Sequence, residues 1–224
     1  MKKHTDRLVS FIFGLAIMVL VITFSIGLPI YVRPFYYAHI DALDMPDQTG
    51  FVKEDIIEAY DEVLDFLTLP GREFGTGKLL HSAEGKGHFE DCKVLFDLNR
   101  NAFLIALAVF VVVLILKRYG IVNLTRPCGF DIFFWSGAST LGIFAAIGII
   151  AAQDFSRAFT VFHKIFFPGK DNWLFNPWTD EIILVMPEQF FMNCAILICA
   201  SIILISLALI TVGIILKKKR NNQT

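Results

Sequence analysis

Four long apolar stretches, each bounded by polar and charged segments, restrict the folds open to this chain more than any other feature. They cover residues 8–30, 98–116, 131–152 and 189–216. A helix needs roughly 20 residues, each rising about 1.5 Å, to cross the hydrocarbon core of a bilayer. The second stretch is strictly apolar only from Ala102 to Leu116, so its span is expected to begin near Leu98. The pattern predicts an all-α membrane protein with four transmembrane helices.

The remaining composition excludes several common functions. The net charge of −1 over 224 residues gives no reason to expect a nucleic-acid partner. The four cysteines form no C-x-x-C pair, and the sequence contains no P-loop, no dinucleotide-binding fingerprint and no G-x-S-x-G elbow. We therefore expect no cofactor and no resident metal, and membrane lipid is the partner that composition alone indicates.

The distribution of basic residues predicts the orientation in the membrane. Lysines and arginines cluster in the head (residues 1–7), in the segment 117–130 and in the tail (217–224), and a four-span arrangement puts all three on one side. By the positive-inside rule that side is the cytoplasm. Segments 31–97 and 153–188 then lie outside the cell, where they are expected to form a small extracytoplasmic cap built from two loops.

The first of these loops contains one clear helical pattern. Residues 54–67 place apolar side chains on one face and acidic side chains on the other, which predicts an amphipathic helix. Five glycines between residues 71 and 87 predict a turn-rich segment, with the glycines before His88 forming the turn that leads to it. From His88 a helical pattern restarts and continues into the second span.

Two histidines far apart in sequence are predicted to meet on the outer side. His88 precedes the second span and His163 follows the third, and the short loop 117–130 makes these spans antiparallel neighbours. The second outer loop is dense in phenylalanine and tryptophan. Imidazole titrates near pH 6.5, which suits proton transfer at neutral pH. The topology therefore indicates a site for an amphiphile at the membrane surface, with two histidines available for general acid–base catalysis.

Other interpretations of the same residues remain open at this point. His81, Glu84 and His88 could present three ligands on one helical face, with His163 completing a metal site of a membrane hydrolase. The glycines within this segment weaken the helix that such a site needs. Alternatively, the histidines are solvated loop residues and the aromatic side chains form an interfacial belt, in which case the chain is a non-enzymatic membrane scaffold.

Cys92 is the remaining candidate nucleophile of this segment. It lies one helical turn after His88, but the carboxylate of Asp91 beside it disfavours a thiolate. Asp91 is instead three residues from His88, a spacing at which its carboxylate could orient one nitrogen of the imidazole. The residues thus offer acid–base groups without a convincing covalent nucleophile.

Four sequence blocks resemble one known family. They are Glu84–Asp91 before the second span, Phe162–Gly169 and Trp173–Asp180 in the second outer loop, and Leu184–Phe191 leading into the fourth span. In these blocks and in its overall layout the chain resembles the lipoprotein intramolecular transacylases of Gram-positive bacteria, which are four-span enzymes of the cell membrane with an extracellular cap.

The resemblance implies a substrate and a reaction. Such enzymes act on lipoproteins whose N-terminal cysteine carries an S-diacylglyceryl group. They move the sn-2 acyl chain to the α-amine of that cysteine and so produce a lyso-form lipoprotein. The family uses two catalytic histidines, and the matching positions are His88 and His163. We expect His88 to act as general base and His163 to stabilise the oxyanion or protonate the leaving oxygen, although the roles could be reversed.

No acyl-enzyme is required, because amine and ester belong to one molecule. Trp173, Phe175 and Trp178 are expected to form the walls of the substrate pocket, and Asn176 to supply a polar contact.

Overall fold

The computed structural model describes residues 2–223, and this part of the chain contains helices and loops but no strand. A short 3-10 turn, Pro127–Gly129, precedes the third long helix. The α-helices are α1 (Lys2–Tyr31), α2 (Arg33–Ala42), α3 (Met45–Thr49), α4 (Lys53–Thr68), α5 (Ala83–Arg118), α6 (Ile132–Gln153), α7 (Phe155–Phe166), α8 (Ile182–Val185) and α9 (Glu188–Asn221).

Four of these helices, α1, α5, α6 and α9, are long and apolar enough to cross a membrane. The predicted all-α membrane protein with four transmembrane helices is therefore confirmed. Helix α5 begins at Ala83, well before its apolar part, so its first turns are a polar extension that carries His88. The position of each span boundary and the assignment of segments 31–97 and 153–188 to an outer cap stay predictions.

The chain divides into two compact units, and the first consists of the described residues of 1–26, 100–149 and 197–224. Its centre is Phe13, which is fully buried and stacks on Phe110 with ring centroids 5.3 Å apart. Helices α6 and α9 approach closely at two glycines. A Cβ at Gly137 would lie 2.7 Å from the carbonyl oxygen of Ser206, and one at Gly213 would lie 2.6 Å from Cβ of Phe134. Small residues allow such close helix packing inside membranes.

The second unit comprises residues 27–99 and 150–196, and α4 lies at its core. The amphipathic pattern of residues 54–67 falls within α4, and its apolar face is buried. Tyr36 from α2 is fully buried, stacks on Tyr60 of α4 at 3.6 Å, and donates a hydrogen bond to the carbonyl oxygen of Val185 at 2.7 Å. Arg33 pairs with Asp61 and Asp65 on the acidic face. Long-range contacts of this kind hold the loop segments in one folded unit.

The start of α5 corrects the predicted turn before His88. Gly85 and Gly87 lie inside the helix, and Ser82 caps it by accepting a hydrogen bond from the Gly85 N–H at 2.9 Å. Gly85 is needed for close approach, because a Cβ there would lie 3.0 Å from Cγ of Asp180 and would overlap Oδ1. Asp180 is 4% exposed and accepts hydrogen bonds from the N–H and hydroxyl of Ser82. Tertiary contact thus overrides the low helix propensity of glycine.

Candidate active site

His88 and His163 face each other within the second unit. His88 lies in the second turn of α5 and His163 in the last turn of α7, and their side chains are 6% and 7% exposed. Their ring centroids are 5.7 Å apart, with an angle of 34° between the planes. Helix α7 is fixed at its N-terminus by Asp154, whose carboxylate accepts a hydrogen bond from the N–H of Arg157 at 2.9 Å. The structure therefore brings together the two histidines that the topology paired.

Aromatic side chains surround the histidine pair. Trp173 stacks on His163 with centroids 4.6 Å apart and an interplanar angle of 25°. Phe175 meets the ring of His88 edge-on at 5.5 Å. Phe167, which is 5% exposed, lies 4.9 Å from His88 and 5.7 Å from His163. These contacts remove much of both imidazoles from water and restrict their orientation.

A backbone carbonyl sets the tautomer of His163. Its Nδ1 lies 2.8 Å from the carbonyl oxygen of Phe159, one turn earlier in α7. A carbonyl oxygen can only accept, so Nδ1 carries the proton and Nε2 keeps its lone pair. Burial lowers the pKa of His163, and the hydrogen bond to Phe159 opposes this shift. His163 is thus a neutral imidazole at pH 7 with a free basic nitrogen.

His88 has a different environment. Its Nε2 lies 3.3 Å from Sγ of Cys92, and no group among residues 2–223 makes a hydrogen bond to its buried Nδ1. His88 precedes the apolar part of α5. Burial and the neighbouring His163 lower its pKa to about 4, although Asp91 opposes the shift. His88 is therefore neutral at pH 7, and its Nδ1 is a buried polar atom without a hydrogen-bond partner among residues 2–223.

Asp91 does not orient His88 by a hydrogen bond, contrary to the expectation from their spacing. Its carboxylate accepts hydrogen bonds from Lys170 and from the amide nitrogen of Asn172, both in the loop after α7. Burial alone would raise the pKa of Asp91, but these donors and the positive charge of Lys170 hold it below its usual range. A long-range ion pair is satisfied in place of the local contact, and it ties this loop to α5.

The structure does not assemble the alternative metal site. His81 lies before α5 begins, so the helical face required of His81, Glu84 and His88 is absent. The Nδ1 of His81 instead lies 2.9 Å from the hydroxyl of Thr76. Over residues 2–223, no group of three or more His, Cys, Asp or Glu side chains is arranged to hold a metal ion.

The thiol of Cys92 is also unsuited to nucleophilic attack. Burial and the neighbouring Asp91 raise its pKa to about 12, so it stays protonated at neutral pH. Its position beside Nε2 of His88 makes it a hydrogen-bonding neighbour of the imidazole.

The four residues predicted to bind substrate fall into two groups. Trp173 and Phe175 contact the histidine rings directly. Trp178 is 87% exposed, and the side-chain oxygen of Asn176 accepts a hydrogen bond from the Trp178 N–H at 3.1 Å. Asn176 therefore supports the turn before α8 and is not seen in contact with the histidines. A substrate role for any of the four stays a prediction.

The sequence interpretation missed three side chains at this site. Phe159 and Phe167 lie four residues before and after His163, a helical spacing that could have identified them as its neighbours. Asn172 holds Asp91 through its amide nitrogen, while its side-chain oxygen is buried without a hydrogen-bond partner among the described residues. No local sequence signal identifies Asn172, because its contacts come from a distant helix.

Comparison with known proteins agrees with this layout. The family described as Lipoprotein intramolecular transacylase Lit matches residues 11–191. The structure is similar to that of the membrane integral lipoprotein intramolecular transacylase Lit from Bacillus cereus, with 25% sequence identity, a TM-score of 0.87, and coverage of 99% of this chain and 100% of the other. No curated protein sequence gives a significant match.

Two histidine variants of the same Bacillus cereus protein are also similar in structure. The histidine-to-arginine variant has a TM-score of 0.81 at 25% identity and covers 99% of this chain and 96% of its own. The histidine-to-alanine variant has a TM-score of 0.80 at 25% identity, with coverage of 98% and 96%. With the family match over residues 11–191, these likenesses show that the chain belongs to the Lit family of lipoprotein intramolecular transacylases, which are integral membrane acyltransferases.

Proposed function

We propose that this protein transfers the sn-2 acyl chain of an S-diacylglyceryl-cysteine lipoprotein to the α-amine of the same cysteine. The product is an N-acyl, S-monoacylglyceryl lipoprotein, the lyso form. The observation that carries the mechanism is the buried pair His88 and His163, whose ring centroids are 5.7 Å apart and whose nitrogens have different hydrogen-bond partners. The two imidazoles are therefore suited to different roles.

His163 is the better general base of the pair. An α-amine has a pKa of about 8, so at pH 7 most of it is protonated and its lone pair must be freed before attack. With Nδ1 donating to Phe159, His163 offers Nε2 as the proton acceptor. Its pKa is lowered by burial, while the carbonyl contact opposes that shift. This geometry favours the reverse of the roles expected from the sequence, in which His88 was the base.

His88 is suited to stabilise negative charge. When the amine attacks the ester carbonyl, the carbonyl oxygen becomes an oxyanion that needs a hydrogen-bond donor. If the thiol of Cys92 donates to Nε2, the proton of His88 resides on Nδ1, the buried atom that has no hydrogen-bond partner among residues 2–223. A pKa of about 4 keeps this imidazole neutral, so that it acts as a polarising donor without bearing a full charge.

The proton balance closes with the pair, the substrate and one proton released to solvent. His163 first passes one proton of the ammonium to solvent, and the neutral amine nitrogen then bonds to the acyl carbon while a second of its protons moves to the regenerated Nε2 of His163. The bond from the acyl carbon to the sn-2 oxygen then breaks, and the proton on His163 passes to that oxygen. An ester and an amine thus become an amide and an alcohol, with no acyl-enzyme, water or cofactor consumed. Holding amine and ester together gives the step the advantage of an intramolecular reaction.

The surroundings support an amphiphilic substrate. Trp173, Phe175 and Phe167 provide apolar contacts beside the histidines. By the positive-inside rule we assign both termini to the cytoplasm and the histidine pair to the outer side of the bacterial cell membrane. A lipoprotein anchored in the outer leaflet could then present its acylated cysteine directly to the site.

Mass spectrometry of one lipoprotein in a bacterial host tests this proposal. Expression of the wild type should convert the N-terminal peptide from the diacylglyceryl form to the lyso form. His88→Ala and His163→Ala should each reduce the conversion rate by about 10²–10⁴-fold, the usual contribution of a general acid or base. Cys92→Ala removes only a neutral hydrogen bond to His88, worth about 0.5–1.5 kcal/mol, and should cost no more than about tenfold, because the thiol is not the nucleophile. Normal conversion by both histidine variants, at equal protein levels, would refute the assignment.

A further inference from the structure

A cavity of about 880 Å³ is lined by residues of the first unit. Its walls come from the N-terminal half of α1, from the loop after α5 and from the first turns of α6. The volume is within the range of about 300–1,000 Å³ that is common for ligand sites. None of its lining residues belongs to the proposed acyl-transfer site, so its ligand must be considered separately.

One end of the cavity, at the first turns of α1, is basic, and we call this end its mouth. Lys3, Arg7 and Arg126 line it, and Asp6 is the one acidic residue among its lining side chains. Three positive charges and one negative charge leave a net charge of +2 at the mouth. Arg126 is half-exposed and its Nε lies 3.5 Å from Asp131, which also pairs with Arg220 at 2.7 Å. The positive charge at the mouth is therefore only partly neutralised by the protein.

Two side chains of α1 anchor the loop that lines the cavity. The carboxylate of Asp6 accepts a hydrogen bond from the N–H of Asn123 at 2.9 Å. The hydroxyl of Ser10, which is 2% exposed, accepts one from the N–H of Thr125 at 2.8 Å and donates to the carbonyl oxygen of Asp6 at 2.6 Å. These bonds fix the loop against α1 and engage the single carboxylate with a backbone donor. The loop wall of the cavity is thus tied to α1 by two defined hydrogen bonds.

The remainder of the cavity is more apolar. Phe11, Leu15 and Met18 line it along one face of α1 over about 10 Å at 1.5 Å per residue, and Leu15 is 51% exposed. At the basic mouth, the indole N–H of Trp135 donates to the carbonyl oxygen of Pro127, the residue after Arg126, at 3.0 Å. A basic mouth beside an apolar cleft matches an amphiphile with an anionic headgroup.

We propose that this cavity binds one anionic phospholipid. Its phosphate contacts Lys3, Arg7 and Arg126, and one acyl chain lies along Leu15 and Met18. Tryptophan at the mouth suits the headgroup region, where indole rings concentrate. The lipid is a structural ligand of the membrane unit and does not depend on the proposed acyl transfer.

Native mass spectrometry of the full-length protein in detergent tests the proposal, with dioleoyl-phosphatidylglycerol and dioleoyl-phosphatidylcholine titrated separately. The wild type should retain one phosphatidylglycerol molecule and bind it at least about tenfold more tightly than phosphatidylcholine. Each cation near a lipid phosphate contributes about fivefold in affinity, so R7Q with R126Q should weaken phosphatidylglycerol binding about 25-fold. R118Q removes an exposed cation outside the cavity and should leave binding unchanged.

A second variant separates the cavity from general surface charge. Ser139 lines the apolar part, and Ser139→Phe should block the lipid while all three cations remain. Thermal unfolding without added lipid verifies that each variant is folded. Equal binding of the two lipids, unchanged affinity in R7Q with R126Q, or undiminished binding in Ser139→Phe would each overturn the proposal. Inorganic phosphate should not displace the lipid, and efficient displacement would indicate a free-anion site instead.

Discussion

Replacing Gly85 with alanine tests how the start of α5 is held, and so how His88 is positioned. Inside a helix, alanine is favoured over glycine by about 0.8–1.0 kcal/mol, so propensity alone predicts a more stable protein. The structure predicts the opposite, because the new Cβ would overlap Oδ1 of Asp180. That carboxylate is buried and accepts hydrogen bonds from Ser82 at 2.9 Å and 2.8 Å.

The size of the destabilisation follows from the hydrogen bonds that Asp180 would lose. A hydrogen bond to a charged group contributes about 1.5–3 kcal/mol, and displacing Asp180 breaks two of them. After the helix-propensity gain, Gly85→Ala should destabilise the protein by about 2 kcal/mol or more. For a chain of this length, that lowers Tm by roughly 4–8 °C. Gly87→Ala is the matched control, because a Cβ there would lie 3.7 Å from the amide of Asn172, an ordinary contact. It should raise Tm by about 2–4 °C.

Thermal unfolding in detergent, followed by circular dichroism, measures both variants. A double-mutant cycle identifies the cause. In the background of Asp180→Ala the steric conflict is gone, so adding Gly85→Ala should stabilise the protein by about 0.8–1.0 kcal/mol. If Gly85→Ala alone is as stable as the wild type, or if its effect is the same in both backgrounds, the account of this contact is wrong.

Three further predictions concern the histidine site. Because the pKa of His163 is lowered below 6.5 and its neutral form is the proposed base, kcat/KM should fall as pH drops below 6.5 and not recover under more acid conditions, as measured on a synthetic lipopeptide. Folding stability should also fall as the pH drops from 6.5 to 4, because the pKa of His88 is about 4 in the folded protein and about 6.5 in the unfolded chain. The unfolded state binds more protons between these values, so the stability lost between pH 6.5 and pH 4 is about 3 kcal/mol. Trp173→Ala should reduce kcat/KM about tenfold or more, because it removes the ring stacked on His163, whereas Trp178→Ala should change it less than threefold. Equal effects of the two tryptophan variants would contradict the assigned contacts.

Several features could be predicted from the sequence because they follow from local patterns. The apolar stretches define the four long helices, and the alternation of apolar and acidic residues over 54–67 defines the face that α4 buries. The proximity of His88 and His163 follows from topology, because two antiparallel spans bring their flanking residues to one side.

Other features depend on contacts between distant segments and left no local signal. Residue 85 is a glycine although it lies inside a helix, because a Cβ there would overlap the carboxylate of Asp180, which is far along the chain. Asp91 pairs with Lys170 and so does not contact the ring of His88. The carbonyl of Phe159 fixes the tautomer of His163, and on this contact we base the proposal that His163 is the general base. These three features are determined by packing between distant segments and by the hydrogen bonding of buried polar groups.

A crossover assay on the purified protein tests the central claim most directly. Two S-diacylglyceryl lipopeptides of different mass are mixed, and only one carries an isotopically heavy sn-2 acyl chain. If amine and ester react within one molecule beside His88 and His163, as proposed, the heavy chain should appear only as the N-acyl group of the peptide that carried it. The same product should be absent with His163→Ala. Heavy acyl groups on the second peptide would contradict direct intramolecular transfer and indicate an acyl-enzyme or an intermolecular reaction.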